Sequence, residues 1–139
     1  MEESRPRVGI GLFIFKDGKV LLGKRKGKHA PGVYAGPGGH LESMEAFVTC
    51  AKREAMEEAG IEIDNIKFLC ITNFQEYAPR HYVDIGLIAE WRRGEPKALE
   101  LDKCEGWDWY DIEKTPEPLF GVVKNYLEAV KTGRNYFDS

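Results

Sequence analysis

The sequence predicts an α/β fold: an α/β/α sandwich with a mixed β-sheet at its centre. Three observations carry this. Period-two apolar runs open the chain and return in its second half, two amphipathic helical stretches follow separate sets of strands, and an Asp-Gly dipeptide closes the first two runs into a hairpin. At 139 residues, 42% hydrophobic and 31% charged, the chain fits one globular domain over residues 1–139.

Taken in order, Arg7 to Lys16 alternates Val8, Ile10, Leu12 and Ile14 with glycines and phenylalanines, the pattern of a strand covered on both faces. Asp17-Gly18 turns the chain back through a second strand, Lys19 to Lys26. A glycine-rich loop follows, and Ser43 is placed to N-cap a central helix with Glu45 in its first turn and Gly60 as its stop. Ile66 to Asn73 and Tyr82 to Trp91 read as strands, the second showing Val83, Ile85, Leu87, Ala89 and Trp91 on one face and Asp84 on the other. Arg92 to Lys103, with Gly94 and Pro96, reads as an exposed loop, and Gly106 to Tyr110 as a short strand. Pro118 suits the first turn of a second helix, whose stripe of Leu119, Val122, Val123, Tyr126, Leu127 and Val130 ends at Gly133 and reads as core packing.

Composition narrows the class of function. A net charge of -3 and a pI near 5.7 give no reason to expect a nucleic-acid polymer or a membrane surface as partner. The opening MEESRPR has no apolar signal core, and no stretch reaches the roughly 20 apolar residues of a membrane span, so a soluble, cytoplasmic protein is expected. Cys50, Cys70 and Cys104 are odd in number and far apart, which favours reduced thiols over disulfides or zinc.

The chemistry concentrates between Gly38 and Ile61. On a helix Glu54, Glu57 and Glu58 stand at i, i+3 and i+4, so their carboxylates share a face near the helix C-terminus, where the macrodipole disfavours anions. Two turns back that face carries Phe47, Cys50 and Ala51, so the acids continue an apolar stripe and point inward. Glu45, Thr49, Lys52, Arg53 and Met56 then form the solvated side. An ordinary charged helix would place its acids outward; inward carboxylates call for a hard divalent cation such as Mg2+.

Spacing also identifies a resemblance. Gly39, Glu45, Arg53, Glu54, Glu57, Glu58, Gly60 and Ile61 match the Nudix box, G-x5-E-x7-R-E-U-x-E-E-x-G-U, with Ala55 in place of the first bulky aliphatic U. The segments LLGKRKG, PGGHLE, HYV and KCEGWDWYDIEKTPEPLF extend the similarity over nearly the whole chain, toward MutT-like nucleotide hydrolases of the plant Nudix hydrolase 1 and human Nudix hydrolase 15 type. This resemblance implies the Nudix fold, a homodimer, and cleavage within the phosphate chain of a nucleotide or other diphosphate-containing small molecule. For nucleoside triphosphates, oxidised or surplus ones included, the products would be a nucleoside monophosphate and pyrophosphate.

Mapped onto this sequence, the resemblance implies that Glu54, Glu57, Glu58 and the Gly38 carbonyl hold Mg2+, with Mn2+ able to substitute. Arg53 would orient the glutamates, and Glu54 would activate water. A further acid is implied in the loop before GWDW, at Asp102 or the neighbouring Glu100. Among the cluster Lys24, Arg25, Lys26 and Lys28, either Arg25 or Lys24 would face the phosphates. His29 and His40 are expected in surface or supporting roles.

Base recognition is less constrained. Tyr34, Ala35 and Gly36 stand where similar enzymes carry F-x-L, and Gly121 replaces an aromatic, so the pocket is expected to be wider. Asp84 is placed either to accept a hydrogen bond from a base N–H or to meet solvent or Arg80. The alternatives to a triphosphate hydrolase are hydrolysis of a nucleotide sugar, dinucleoside polyphosphate, pterin triphosphate or isoprenoid diphosphate, and a non-catalytic Nudix-fold binding module. Such a module has no need of the intact Arg53, Glu54, Glu57 and Glu58 set.

Overall fold

The computed structural model describes residues 5–138; the first four residues of MEESRPR and Ser139 lie outside them. The elements run β1 (Arg7–Lys16), β2 (Lys19–Arg25), β3 (Tyr34–Ala35), β4 (Gly38–His40), α1 (Phe47–Ala59), β5 (Glu62–Phe74), β6 (Tyr82–Arg93), β7 (Cys104–Asp111), α2 (Gly121–Thr132) and β8 (Tyr136–Phe137). All eight strands join one mixed sheet. Its main order is β3-β2-β1-β6-β5-β8, with β4 paired to β1 and β7 to β2. β1 and β6 are parallel over Arg7–Phe15, while β1–β2 and β5–β6 are antiparallel.

Two cores, one on each face, make this the expected α/β sandwich. Ile10, Leu12, Ile14, Ile85 and Leu87 pack toward α1 with Ala51, Ala55 and Ala59. Phe13, Val20, Leu22, Cys70 and Phe74 pack toward α2 with Val122, Val123 and Tyr126. Adjacent β1 side chains thus divide between the two helices, which is why that strand reads as apolar throughout. Cys50, Cys70 and Cys104 are all buried free thiols. Among the described residues, no helix is long and apolar enough to cross a membrane.

Several boundaries differ from the sequence reading. Helix α1 starts at Phe47 and its N-cap is Ala46, without a side-chain cap bond, so Ser43 does not cap it. Met44, at φ 64°, turns the chain just before the helix, and Glu45 spends its carboxylate on the Glu42 N–H at 3.0 Å. Phe47 is exposed, so the inward stripe begins only at Cys50. Gly60, at φ 68°, ends the helix as expected, its N–H returning to the Met56 carbonyl and the Ile61 N–H to the Ala55 carbonyl. Pro118 precedes α2, which opens at Gly121. β5 begins four residues before the expected Ile66, over polar residues with an irregular register, and the two-residue β8 carries too few positions to show a period.

Candidate active site

Two close approaches of the backbone set the geometry. β4 runs antiparallel to β1, with Gly39 opposite Ile10, and places Gly39 against α1. A Cβ on Gly39 would lie 2.5 Å from the Glu54 carboxyl carbon, so only glycine lets the strand and that carboxylate meet. The loop after β6 supplies the second approach. Its Lys97 and Leu99 N–H groups donate to the Ala59 and Glu58 carbonyls, and the Trp107 indole donates to the same Glu58 carbonyl at 3.1 Å. The expected loop of Arg92 to Lys103 thus begins only at Gly94, after β6, and is not free-standing: it satisfies the C-terminal carbonyls of α1 and carries Glu100 and Asp102 to the acidic residues.

A cleft of about 730 Å³ opens there, bordered by Glu54, Glu58, Glu100 and Asp102 at one end and by Asp84 and Tyr126 at the other. Glu54 is only 8% exposed, and the Glu58 carboxyl sits in hydrogen-bond contact with it. Burial first, then the bond to Glu54 and the charges of Glu54 and Glu100, push Glu58 well above the usual carboxylate range. A Gly38 N–H acts in the opposite direction. Two buried acids held this way are stabilised by a shared proton or by a cation.

Glu57 lies elsewhere. Its side chain is half exposed, does not border the cleft, and takes only long bonds from Arg53 at 3.4 and 3.5 Å. The three-carboxylate face expected from the spacing is thus a two-carboxylate face, because Glu57 projects around the helix toward solvent. The expected solvated side changes as well, since Glu45 and Arg53 form a covered pair. Arg53 donates from Nε and Nη2 to the two Glu45 oxygens at 2.8 and 2.9 Å, from Nη1 to Glu54 Oε1 at 2.7 Å, and from Nη2 to the His40 carbonyl at 3.3 Å.

That clamp gives a pH prediction. The Arg53 hydrogen bond holds the Glu45 carboxyl down at about 2, below its ordinary 4.5. A depressed acid stabilises the fold fully above its ordinary value and loses that contribution as pH falls toward about 2. Urea midpoints measured from pH 6 to pH 2 are expected to fall more steeply for the unaltered protein than for Glu45→Gln. Parallel slopes would show that the clamp contributes nothing to stability.

Of the basic cluster, Arg25 faces the cleft and Lys24 does not. Alternation along β2 turns Gly23 and Arg25 inward and leaves Lys24 beside its cross-strand partner Tyr34. Tyr34 in turn packs edge-on against Tyr110, centroids 6.2 Å apart, so it also misses the cleft, while Ala35 and Gly36 border it. The Arg25 guanidinium lies over the Phe120 ring at 4.6 Å and donates from Nη2 to the His29 carbonyl at 3.3 Å. Its Nε is buried without a hydrogen-bond partner, and burial lowers its pKa. His29 and His40 also border the cleft, the His40 ring 5.5 Å from that of Tyr82, and burial lowers both pKa values.

Asp84 is not paired with Arg80 among the described residues; it borders the cleft with 8% of its surface exposed. It is buried, and the Tyr126 hydroxyl donates to its Oδ2 at 2.5 Å. The sequence pattern shows Tyr126 only as core; the signal for its second role lies in Gly11 and Gly86, where a Cβ would collide with its ring.

A bound divalent cation could be held by the Glu54–Glu58 pair with backbone oxygen from the adjacent glycine strand. No three His, Cys, Asp or Glu side chains form a closed metal cage among the described residues. An open set of this kind suits a cation that keeps water or takes phosphate oxygens.

The profile of the NUDIX domain matches residues 5–130. The chain belongs to the Nudix family. It is 32% identical over 127 residues to the ADP-ribose pyrophosphatase of Methanocaldococcus jannaschii, covering 88% of this chain and 73% of that protein. It is 29% identical over 106 residues to the oxidized purine nucleoside triphosphate hydrolase of Danio rerio, covering 76% of this chain and 66% of that protein. The NAD-capped RNA hydrolase NudC of Chromobacterium violaceum is 29% identical over 112 residues; the match covers 80% of this chain and spans only 41% of that protein. Among solved structures, a MutT NUDIX hydrolase from Burkholderia pseudomallei superposes with a TM-score of 0.86 at 34% identity, covering 91% of this chain and 99% of that one. The chain thus carries a Nudix hydrolase domain, and its Nudix box forms the Arg53 clamp and the Glu54–Glu58 pair. In this Nudix chain the first aliphatic box position, Ala55, is fully buried against the sheet.

Proposed function

We propose that this Nudix chain is a divalent-metal-dependent pyrophosphohydrolase that cleaves nucleoside triphosphates to a nucleoside monophosphate and pyrophosphate. The observation that carries the reading is the buried Glu54–Glu58 pair at one end of a cleft whose other end is walled by aromatic and apolar side chains. Phosphate chain and planar base have separate chemical requirements, and the two ends of the cleft match them.

Mg2+, with Mn2+ as substitute, suits the oxygen-only donor set of Glu54, Glu58 and the Gly38 carbonyl. When bound, the cation supplies charge neutralisation for the phosphate oxygens and favours attack by water. Glu54 takes the proton of the attacking water. Arg53 fixes the Glu54 carboxylate through the 2.7 Å bond to its Oε1. Arg25, which borders the cleft, supplies guanidinium donors to phosphate, and Phe120 holds its plane. Glu100 or Asp102 completes the acidic end. Glu57 keeps Arg53 aligned from outside and is left out of the ligand set. A homodimer and a place in clearing oxidised or surplus nucleotides belong to the same reading, the first checked by sedimentation.

The similarity to an ADP-ribose pyrophosphatase favours a second reading, a diphosphate flanked by two organic groups. A panel of nucleoside triphosphates, ADP-ribose and NAD-capped RNA, assayed with Mg2+ and with pyrophosphate and phosphomonoester products measured separately, decides between them. Pyrophosphate release from triphosphates supports the first reading. Phosphomonoesters from ADP-ribose alone replace it with the second, and no turnover of any member leaves the binding module.

A further inference from the structure

Three polar or charged residues are buried among those described: Glu54, Thr72 and Asp84. Glu54 has Arg53, and Thr72 accepts a bond from Asn125 at 3.1 Å. Asp84 has only the uncharged Tyr126 hydroxyl, and that donor serves one oxygen, Oδ2. No Lys, Arg or His forms an ion pair with it among the described residues. A carboxylate in this position lacks the compensation that buried charge requires.

The other oxygen, Oδ1, lies beside a glycine that borders the cleft. Gly9 is the β1 residue in register with Asp84, and a Cβ there would stand 3.6 Å from Oδ1, so its absence leaves room beside that oxygen. Aromatic and apolar side chains, Phe74, Tyr82, Phe120 and Val123, border the same cleft. On its other side Gly9 pairs with His40, next to Gly39 and the acid pair. Asp84 and His40 are thus two strand spacings apart, roughly 10 Å, which leaves a base and a sugar room between the carboxylate and the phosphate end.

We propose that Asp84 selects the nucleobase by accepting, at Oδ1, a hydrogen bond from an N–H on the base edge inserted beside Gly9. The inference rests on the nucleotide reading above. Tyr126 is a positioning residue, fixing Oδ2 so that Oδ1 is turned to the cleft. The ligand class is a nucleoside triphosphate whose inserted edge carries N–H donors, as guanine and adenine do and unsubstituted purine does not. Burial raises the Asp84 carboxyl to about 7, so a donor from the ligand favours its charged form and pairs it at once.

The test compares kcat/KM for the triphosphates of guanosine, adenosine and unsubstituted purine riboside, in the unaltered protein, Asp84→Asn and Tyr126→Phe. In the unaltered protein at least one donor-bearing nucleotide is expected to exceed purine riboside triphosphate by tenfold or more. Asp84→Asn, in which the Tyr126 hydroxyl holds the amide oxygen and turns the NH2 to the cleft, should reduce that ratio at least tenfold, mostly through KM. Tyr126→Phe, which keeps both carboxylate oxygens but releases the one that Tyr126 fixes, should reduce it by a clearly smaller factor than Asp84→Asn. Each ratio is measured within one preparation, so a partly unfolded variant does not distort it. An unchanged ratio in Asp84→Asn, or equal reductions in both variants, overturns the assignment while leaving nucleotide hydrolysis in place. Turnover of no nucleotide by the unaltered protein overturns the nucleotide reading and the assignment with it.

Discussion

Glu58→Gln is expected to lower kcat by about 100-fold or more and, at neutral pH without metal, to raise the melting temperature. Both effects have one origin. Glu58 is buried against Glu54, with Glu100 adding further negative charge, and each of these raises the free energy of its ionised form. Glutamine keeps the shape, can still bond to Glu54, and removes the need to take up a proton at this position on folding; relief of about 1–2 kcal/mol is expected, a melting shift of roughly 3–10 °C in a domain of this size. The unaltered protein should recover the difference when Mg2+ is added, because a cation that binds only the folded state stabilises it by mass action. The variant should gain little. Thermal melts of both proteins with and without MgCl2, beside initial rates on a triphosphate, check all three statements. A variant that melts lower without metal, or gains as much from Mg2+ as its parent, would show that the acid pair is not the cation site. Glu54→Gln should match the loss of turnover, since it removes the base as well as a ligand.

That pair illustrates what the sequence made legible. Spacing alone put Glu54 and Glu58 one turn apart on a face continuous with Cys50 and Ala51, and a helix of ordinary pitch preserves that relation whatever surrounds it. The same reasoning placed β1 to the residue and ended both helices at Gly60 and Gly133, where left-handed backbone leaves little choice. It misplaces Glu57 because successive residues stand about 100° apart around the axis, so Glu57 and Glu58 fall on opposite sides of Glu54 and one of the three carboxylates can leave the face while the other two stay. Spacing sets Glu45 and Arg53 on the solvated side because it runs the helix back past Glu45, whereas the helix begins at Phe47; Arg53 keeps its helical phase, and Glu45, in the turn before the helix, folds its carboxylate over the guanidinium. Lys24 and Arg25 could not be separated by charge; only the alternation of β2 against β3 and β7 does so. Asp84 was seen as off the apolar face of its own strand, but its partner Tyr126 lies 42 residues on, a distance at which no local period operates.

Arg53→Lys is expected to reduce kcat by roughly 100-fold even though the positive charge remains. The guanidinium meets Glu45 with two parallel bonds at 2.8 and 2.9 Å, reaches Glu54 at 2.7 Å, and also holds the His40 carbonyl of the glycine strand. A planar fork can serve these directions at once; an ammonium on a flexible stem satisfies one or two of them and leaves the rest to water. Glu54 then loses the bond that fixes its rotamer, and misplacement of a proton acceptor by about 1 Å is enough for a loss of this size. If Arg53 acts through Glu45 as well as on Glu54, the two residues form one unit, and a double-mutant cycle reads it directly. Glu45→Gln in the Arg53→Lys background should cost little more than Arg53→Lys alone, whereas independent roles would make the losses multiply. The pH–rate profile separates positioning from collapse: a protein that merely unfolds loses amplitude at every pH, while a displaced Glu54 shifts the acidic limb. Arg53→Lys with unchanged kcat and an unchanged acidic limb would mean that charge alone, without the fork, suffices to hold Glu54 in place.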